Sequence, residues 1–185
     1  MQGIPLNERK RLGALLDDRP QTEVMAMIPQ FSQAETDNFV APPAQIPEAL
    51  GVLMFNMERG VNLPEIQEFL QDCPDIQPFD VILANELDDG CARSGNKNTA
   101  RELAQAFGLN YAWGLEFIEL VNDENAKGFH GNAVFSRWPI RRAGVIRLPE
   151  QYNWYFDRQK RIGGRLAVFA ELDVGGQPVG AVSIH

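Results

Sequence analysis

A mixed α/β fold of layered sheets and helices is the class this sequence predicts, and three features predict it. The runs 50–55 and 81–84 are wholly apolar and end in polar residues, as strands covered on both faces do. Each run is followed by a segment with helical spacing. Near the end, Gly175-Gly176 joins two strand-like runs, a hairpin signal.

Taken in order, Asn7 followed by ERKRLGALL reads as a capped helix that stops at Asp17, Asp18 and Pro20. Residues 21–47 show no clean period and contain Pro29, Pro42, Pro43 and Pro47, so residues 1–48 read as a helical and irregular leader. The domain proper is expected over 49–185, opening with the strand 50–56. Asn62 and Pro64 then start a helix whose Ile66, Phe69 and Leu70 share one face. A second buried strand runs over 79–87. The segment 98–107 is an amphipathic helix stopped by Gly108. Strands are expected at 111–120, 132–136, 165–172 and 178–184, with no internal repeat.

Composition narrows the function classes. Hydrophobic residues are 44% and charged residues 23% of 185, ordinary for a globular chain. No run approaches the ~18 apolar residues of a membrane helix, and the first residues lack an apolar signal core. The two cysteines, Cys73 and Cys91, are too few for a disulfide framework or a zinc site, and point to a reducing, cytoplasmic setting. The net charge of −8 makes the chain a poor nonspecific nucleic-acid binder. The acids concentrate before Ser136. From there to Arg165 the bases Arg137, Arg141, Arg142, Arg147, Arg158, Lys160, Arg161 and Arg165 face only Glu150 and Asp157. That stretch either meets an anionic substrate or pairs with the acids of the other half.

Three polar residues end apolar strands, where α/β folds place their sites: Asn56, Glu86 and His185. A carboxylate at Glu86 suits a hard cation such as Mg²⁺; read alone, it also suits a solvated strand-end acid. The Asn56 amide either orients a ligand oxygen or caps the turn before Arg59-Gly60. His185 can donate to an oxyanion, unless it belongs to a frayed end. His130 sits before Gly131, a residue expected for its backbone geometry. No Walker-type loop, nucleophile elbow, His-x-x-x-His or paired-Cys spacing occurs.

Together these segments resemble the endonuclease/exonuclease/phosphatase family. Met54-Phe-Asn56 resembles its first motif, and Asp80-Val-Ile-Leu-Ala-Asn-Glu86 its second, with Asn85 in place of the usual Gln. Gly131-Asn-Ala-Val-Phe-Ser-Arg-Trp-Pro-Ile140 is similar to a segment of its bacterial members. The strands leading to Val182-Ser-Ile-His185 resemble those that end in the family's Thr-His. The resemblance covers 50–185 and implies a four-layer α/β sandwich of the deoxyribonuclease I-like type. It implies Mg-dependent (or Mn-dependent) phosphodiester hydrolysis, with nucleic acid, phospholipid or a small phosphodiester as substrate. By position, Glu86 and Asn56 would hold the metal and His185 would bind the scissile phosphate, with His130 and Arg137 as further substrate contacts.

The family's later Gly-Asp-x-Asn and Ser-Asp-His segments are not in this sequence. The C-terminal half of the fold is therefore expected to be missing. The expectation is a site inactive as given and an uncovered apolar sheet face that makes the fragment self-associate. The other readings are a non-catalytic relative acting as a binding module and an unrelated α/β interaction domain.

Overall fold

The computed structural model describes residues 1–149, 152–156 and 159–185. Glu150, Asp157 and Arg158 of the basic stretch lie outside the described residues.

The leader is more ordered than its sequence suggests. Helix α1 (Leu6–Ala14) starts one residue before Asn7, behind Pro5, with no side-chain cap. A short 3-10 turn (Leu15–Asp17) extends it, and α2 (Gln21–Ala26) follows behind Pro20. Strand β1 (Ala34–Asp37) then joins the main sheet. Leu12, Leu16, Val24, Ile28 and Phe31 are buried in the same cluster as the helices of the domain. Elements this short carry too few residues for a period to show.

Strand β2 (Val52–Arg59) leads to α3 (Leu63–Asp72), with Asn62 before it and Pro64 in its first turn. Strand β3 (Val81–Asp89) leads to α4 (Thr99–Phe107). Here Asn98 accepts from the Arg101 N–H, and Gly108 closes the helix in the left-handed conformation. Strands β4 (Asn110–Glu119) and β5 (Phe129–Ser136) are buried along their whole length, as central strands covered on both faces must be.

Three further pieces complete the chain: β6 (Ile140–Arg147), the short β7 (Arg161–Gly163), and the hairpin β8 (Leu166–Val174) and β9 (Gln177–Ile184). Strands β1, β6 and β7 carry no clear signal in the sequence. Strand β6 is an edge strand whose outward residues include Arg141 and Arg142, so its apolar alternation is masked by charge.

The main sheet has the order β1-β4-β5-β3-β2, with β7 on β4, and only β2 and β3 pair in parallel. The second sheet has the order β6-β8-β9. Val81, Ala112, Val134 and Trp138 of the main-sheet side meet Leu166, Val168, Ala170 and Leu172 of the second sheet, forming the inner core. The helices and leader cover the opposite face of the main sheet. Among the described residues no helix covers the outward face of the second sheet.

The apolar run of β2 predicts cover on both faces, and the structure differs. As an edge strand it leaves Val52 (57%) and Met54 (69%) exposed, and the edge strand β9 does the same with Val182 and Ile184. Gly131 meets its expectation of a backbone requirement: a Cβ there would collide with the Gly114 carbonyl oxygen on the neighbouring strand.

Candidate metal and phosphate site

The parallel pair β2 and β3 ends in irregular backbone. Register is lost after Asn56 on β2 and between Ala84 and Leu87 on β3, a bulge beside its pairing with β5. Glu86 sits in that bulge with φ 57°, a left-handed conformation that costs a side-chain-bearing residue about 1–2 kcal/mol. Asn132 on β5, fully buried, holds the bulge by accepting from the Glu86 N–H at 3.2 Å. The side-chain nitrogen of Asn132 has no partner in the structure.

Across the gap between the sheets, β9 delivers His185 to the same edge. Its Nε2 lies 3.8 Å from Glu86 Oε1, both side chains being partly exposed. Ser183, one turn of the pleat earlier, donates to the Ala84 carbonyl at 3.0 Å and lies 3.4 Å from Asn85 Nδ2, which ties β9 to β3. Asn56 stands beside Asn85 in the parallel register, next to Glu86. Its Oδ1 accepts from the Glu58 N–H at 2.9 Å, so that oxygen caps the turn through Glu58 and Arg59. That oxygen keeps a second lone pair for a ligand.

Arg165 has no place among the strand-end candidates of the sequence, yet it completes the geometry. Its Nη1 lies 2.8 Å from His185 Nδ1 and 3.1 Å from Glu116 Oε1. A guanidinium can only donate, so Nδ1 accepts, and a neutral His185 carries its proton on Nε2, facing Glu86. The arrangement thus presents an N–H donor and a cation beside a carboxylate, the set that an anionic phosphate bridged to a hard cation requires.

Behind this layer lies a buried polar chain. Glu116 is fully buried on β4, and its Oε2 lies 4.0 Å from His130 Nε2. His130 Nδ1 is 2.8 Å from Asp88 Oδ1, and Arg93 grips Asp88 with two hydrogen bonds of 2.7 and 2.8 Å. Burial opposes ionisation of Asp88, but Arg93 and His130 outweigh it and hold its carboxyl below the usual carboxylate range. His130 is buried and stacked on Phe117, so it supports the site from behind and does not open to solvent. Arg137 is not brought to the group. It follows Ser136, which pairs with Val81 at the start of β3, the opposite end of the sheet from Glu86.

Glu116 was legible in principle, as a lone acid inside the apolar run 111–118 that must find a partner when buried. Arg165 carried no signal beyond its place before an apolar strand.

The donors fit magnesium only in part. Among the described residues no group of three or more His, Cys, Asp or Glu side chains could hold a metal ion. Glu86 offers a carboxylate here that no Lys or Arg holds among the described residues. That fits an ion which keeps most of its water and takes one or two carboxylates plus substrate oxygens.

No family profile matches the chain, and no curated protein matches it. Solved structures do. An endonuclease/exonuclease/phosphatase from Beutenbergia cavernae is similar at a TM-score of 0.52 and 20% identity, over 72% of this chain and 37% of that one. An endonuclease/exonuclease/phosphatase family protein from Leptotrichia buccalis is similar at 0.50 and 19%, over 74% of this chain and 55% of that one. The chain therefore spans about half or less of the length of these structures. Its mixed α/β sandwich of two sheets has the fold of the endonuclease/exonuclease/phosphatase proteins.

Proposed function

We propose that this chain carries one wall of a divalent-metal-dependent phosphoester hydrolase site. The observation that supports it most is the Glu86 carboxylate, carried on a left-handed backbone and facing His185 Nε2, whose ring is fixed from behind by Arg165. Strain of this kind collects at functional sites. The fold likeness points to the same family, whose name joins nuclease and phosphatase activities.

In this reading Glu86 holds a magnesium or manganese ion, with the Asn56 amide beside it. When bound, the ion neutralises phosphate charge and polarises a phosphoryl oxygen. His185 donates its Nε2–H to a non-bridging phosphate oxygen, where charge grows in the transition state. Arg165 keeps that ring oriented and adds positive charge. The substrate is a phosphate ester, and nucleic acid, phospholipid and small phosphodiesters all satisfy this chemistry.

A second reading, metal binding without turnover, is favoured by one observation. Among the described residues the neighbouring acids Asp88, Asp89 and Glu116 are held by Arg93, Lys127 and Arg165, so none of these three is free to activate water. Chain 1–185 by itself is thus expected to bind magnesium and not to hydrolyse a diester. The exposed apolar residues of β2 and β9 support self-association of the same chain. A cytoplasmic setting belongs to this reading, supported by two free cysteines. The test is magnesium binding to wild type and Glu86→Gln by calorimetry, with a chromogenic phosphodiester assayed alongside. Binding that is lost in Glu86→Gln, without turnover in either protein, is expected; equal magnesium binding in both would remove the proposal.

A further inference from the structure

The leader builds a cavity that the metal and phosphate site does not use. It has a volume of about 570 Å³, within the range of small-ligand pockets. Met25, Ile28 and Phe31 of the leader form one wall, and Leu148, Pro149 and Arg165 the other.

The cavity lies on the site's edge of the sandwich. Strand β6 ends at Arg147 opposite Leu166, and β9 ends at Ile184 opposite Ala167. Arg147, Arg165 and His185 therefore stand at one end of three neighbouring strands, with Arg147 about 10 Å from His185 at the usual strand spacing. On the other sheet, Phe31 leads into β1, whose Ala34 is opposite Gly114, which is opposite Asn132, the residue that holds Glu86. Arg165 is shared: it lines the cavity and bonds His185.

The walls are preformed. The Arg147 guanidinium donates to the Phe31 carbonyl at 2.8 and 2.9 Å, to the Gly164 carbonyl at 3.0 Å and to the Leu115 carbonyl, and stacks 4.7 Å over the Phe31 ring. Leu12, Leu16 and Val24 anchor α1 and α2 in the core beneath. No acid lines the cavity among the described residues, in a chain of net charge −8. The described lining is largely apolar, which suits an alkyl tail, and Arg147 and Arg165 suit an anionic ester.

We propose that this cavity binds the alkyl portion of a phosphoester substrate whose phosphate sits at Glu86 and His185. The proposal rests on the phosphoester reading above and adds the substrate's second half. It gives the leader a role in choosing substrates: esters with short polar groups bind through phosphate alone, and esters with alkyl chains bind through both ends.

The test uses the full chain with magnesium and the series methyl, butyl, hexyl and octyl phosphate, each measured by calorimetry. Wild type is expected to tighten with chain length by up to about fourfold for each methylene that becomes buried. Ala26→Trp, on the exposed side of α2 and reaching into the cavity, is expected to flatten the series and leave methyl phosphate unchanged. Thr22→Trp fills the same cavity from another position and serves if the first variant fails to fold. Glu86→Gln is expected to weaken every member equally and keep the slope. A flat series in wild type, or an unchanged slope in both filled variants, overturns the proposal. A slope that persists with no effect of magnesium or of Glu86→Gln overturns the phosphoester reading, and the proposal with it.

Discussion

Replacing Glu86 by glycine separates the residue's structural cost from its chemical use. Glu86 holds φ 57° in the β3 bulge. A left-handed residue with a Cβ costs about 1–2 kcal/mol, and glycine removes that cost. Glycine in turn adds about 0.5–1 kcal/mol of unfolded-chain freedom. The substitution also removes the Glu86–His185 approach at 3.8 Å, which is partly exposed and so worth at most about 1 kcal/mol. The first two terms leave a gain near 0.5–1 kcal/mol, and loss of the His185 approach trims it. Glu86→Gly is thus expected to be neutral or up to about 1 kcal/mol more stable while losing metal binding. Glu86→Gln, which keeps the strain, gains nothing. The assay is urea unfolding at low protein concentration, where such a gain moves the midpoint by a few tenths molar at about 1–3 kcal/mol per molar. A midpoint that falls clearly in Glu86→Gly and stays put in Glu86→Gln would refute the reasoning, because the side chain would then be holding the bulge.

Gly131→Ala forces a Cβ onto the Gly114 carbonyl and is expected to cost about 2 kcal/mol or more, measured by thermal unfolding. Asp88→Ala strips Arg93 and His130 of their buried partner and is expected to cost about 3–5 kcal/mol. The pH dependence has a defined sign: a carboxyl held below its unfolded value stabilises the fold fully above about pH 4, and the contribution fades as pH falls through the lower folded value. Acid unfolding of wild type should therefore steepen below about pH 4, with a shallower curve in Asp88→Asn. Paired charges at Met54→Lys and Val182→Lys, both exposed positions, are expected to reduce self-association in sedimentation. An unchanged sedimentation profile would place the association surface elsewhere.

The strands and helices of the domain were readable because burial leaves a plain trace. Strands β3, β4 and β5 are apolar runs, and α4 carries both of its end signals, Asn98 and Gly108. In the leader α1 was readable and the rest was not, since β1 is four residues long and its partners lie some 80 residues away. The same limit applies to the site. Asn56, Glu86 and His185 announce themselves as polar ends of apolar strands. Glu116, Asn132 and Arg165 do not, because their roles come from pairings across strands: Arg165 with both Glu116 and His185, and Asn132 with the backbone of Glu86. Arg137 shows the converse error. Its motif neighbours are at the correct strand, but β5 runs antiparallel to β3 and carries Arg137 to the far end.

The most direct test of a metal held by Glu86 is manganese binding followed by electron paramagnetic resonance, with wild type, Glu86→Gln and Glu86→Gly compared at equal concentration. One hydrated, weakly held ion is expected in wild type, with its loss in both variants and competition by magnesium. Equal manganese occupancy in all three proteins would contradict this, since Glu86 would then not be the residue that holds the ion.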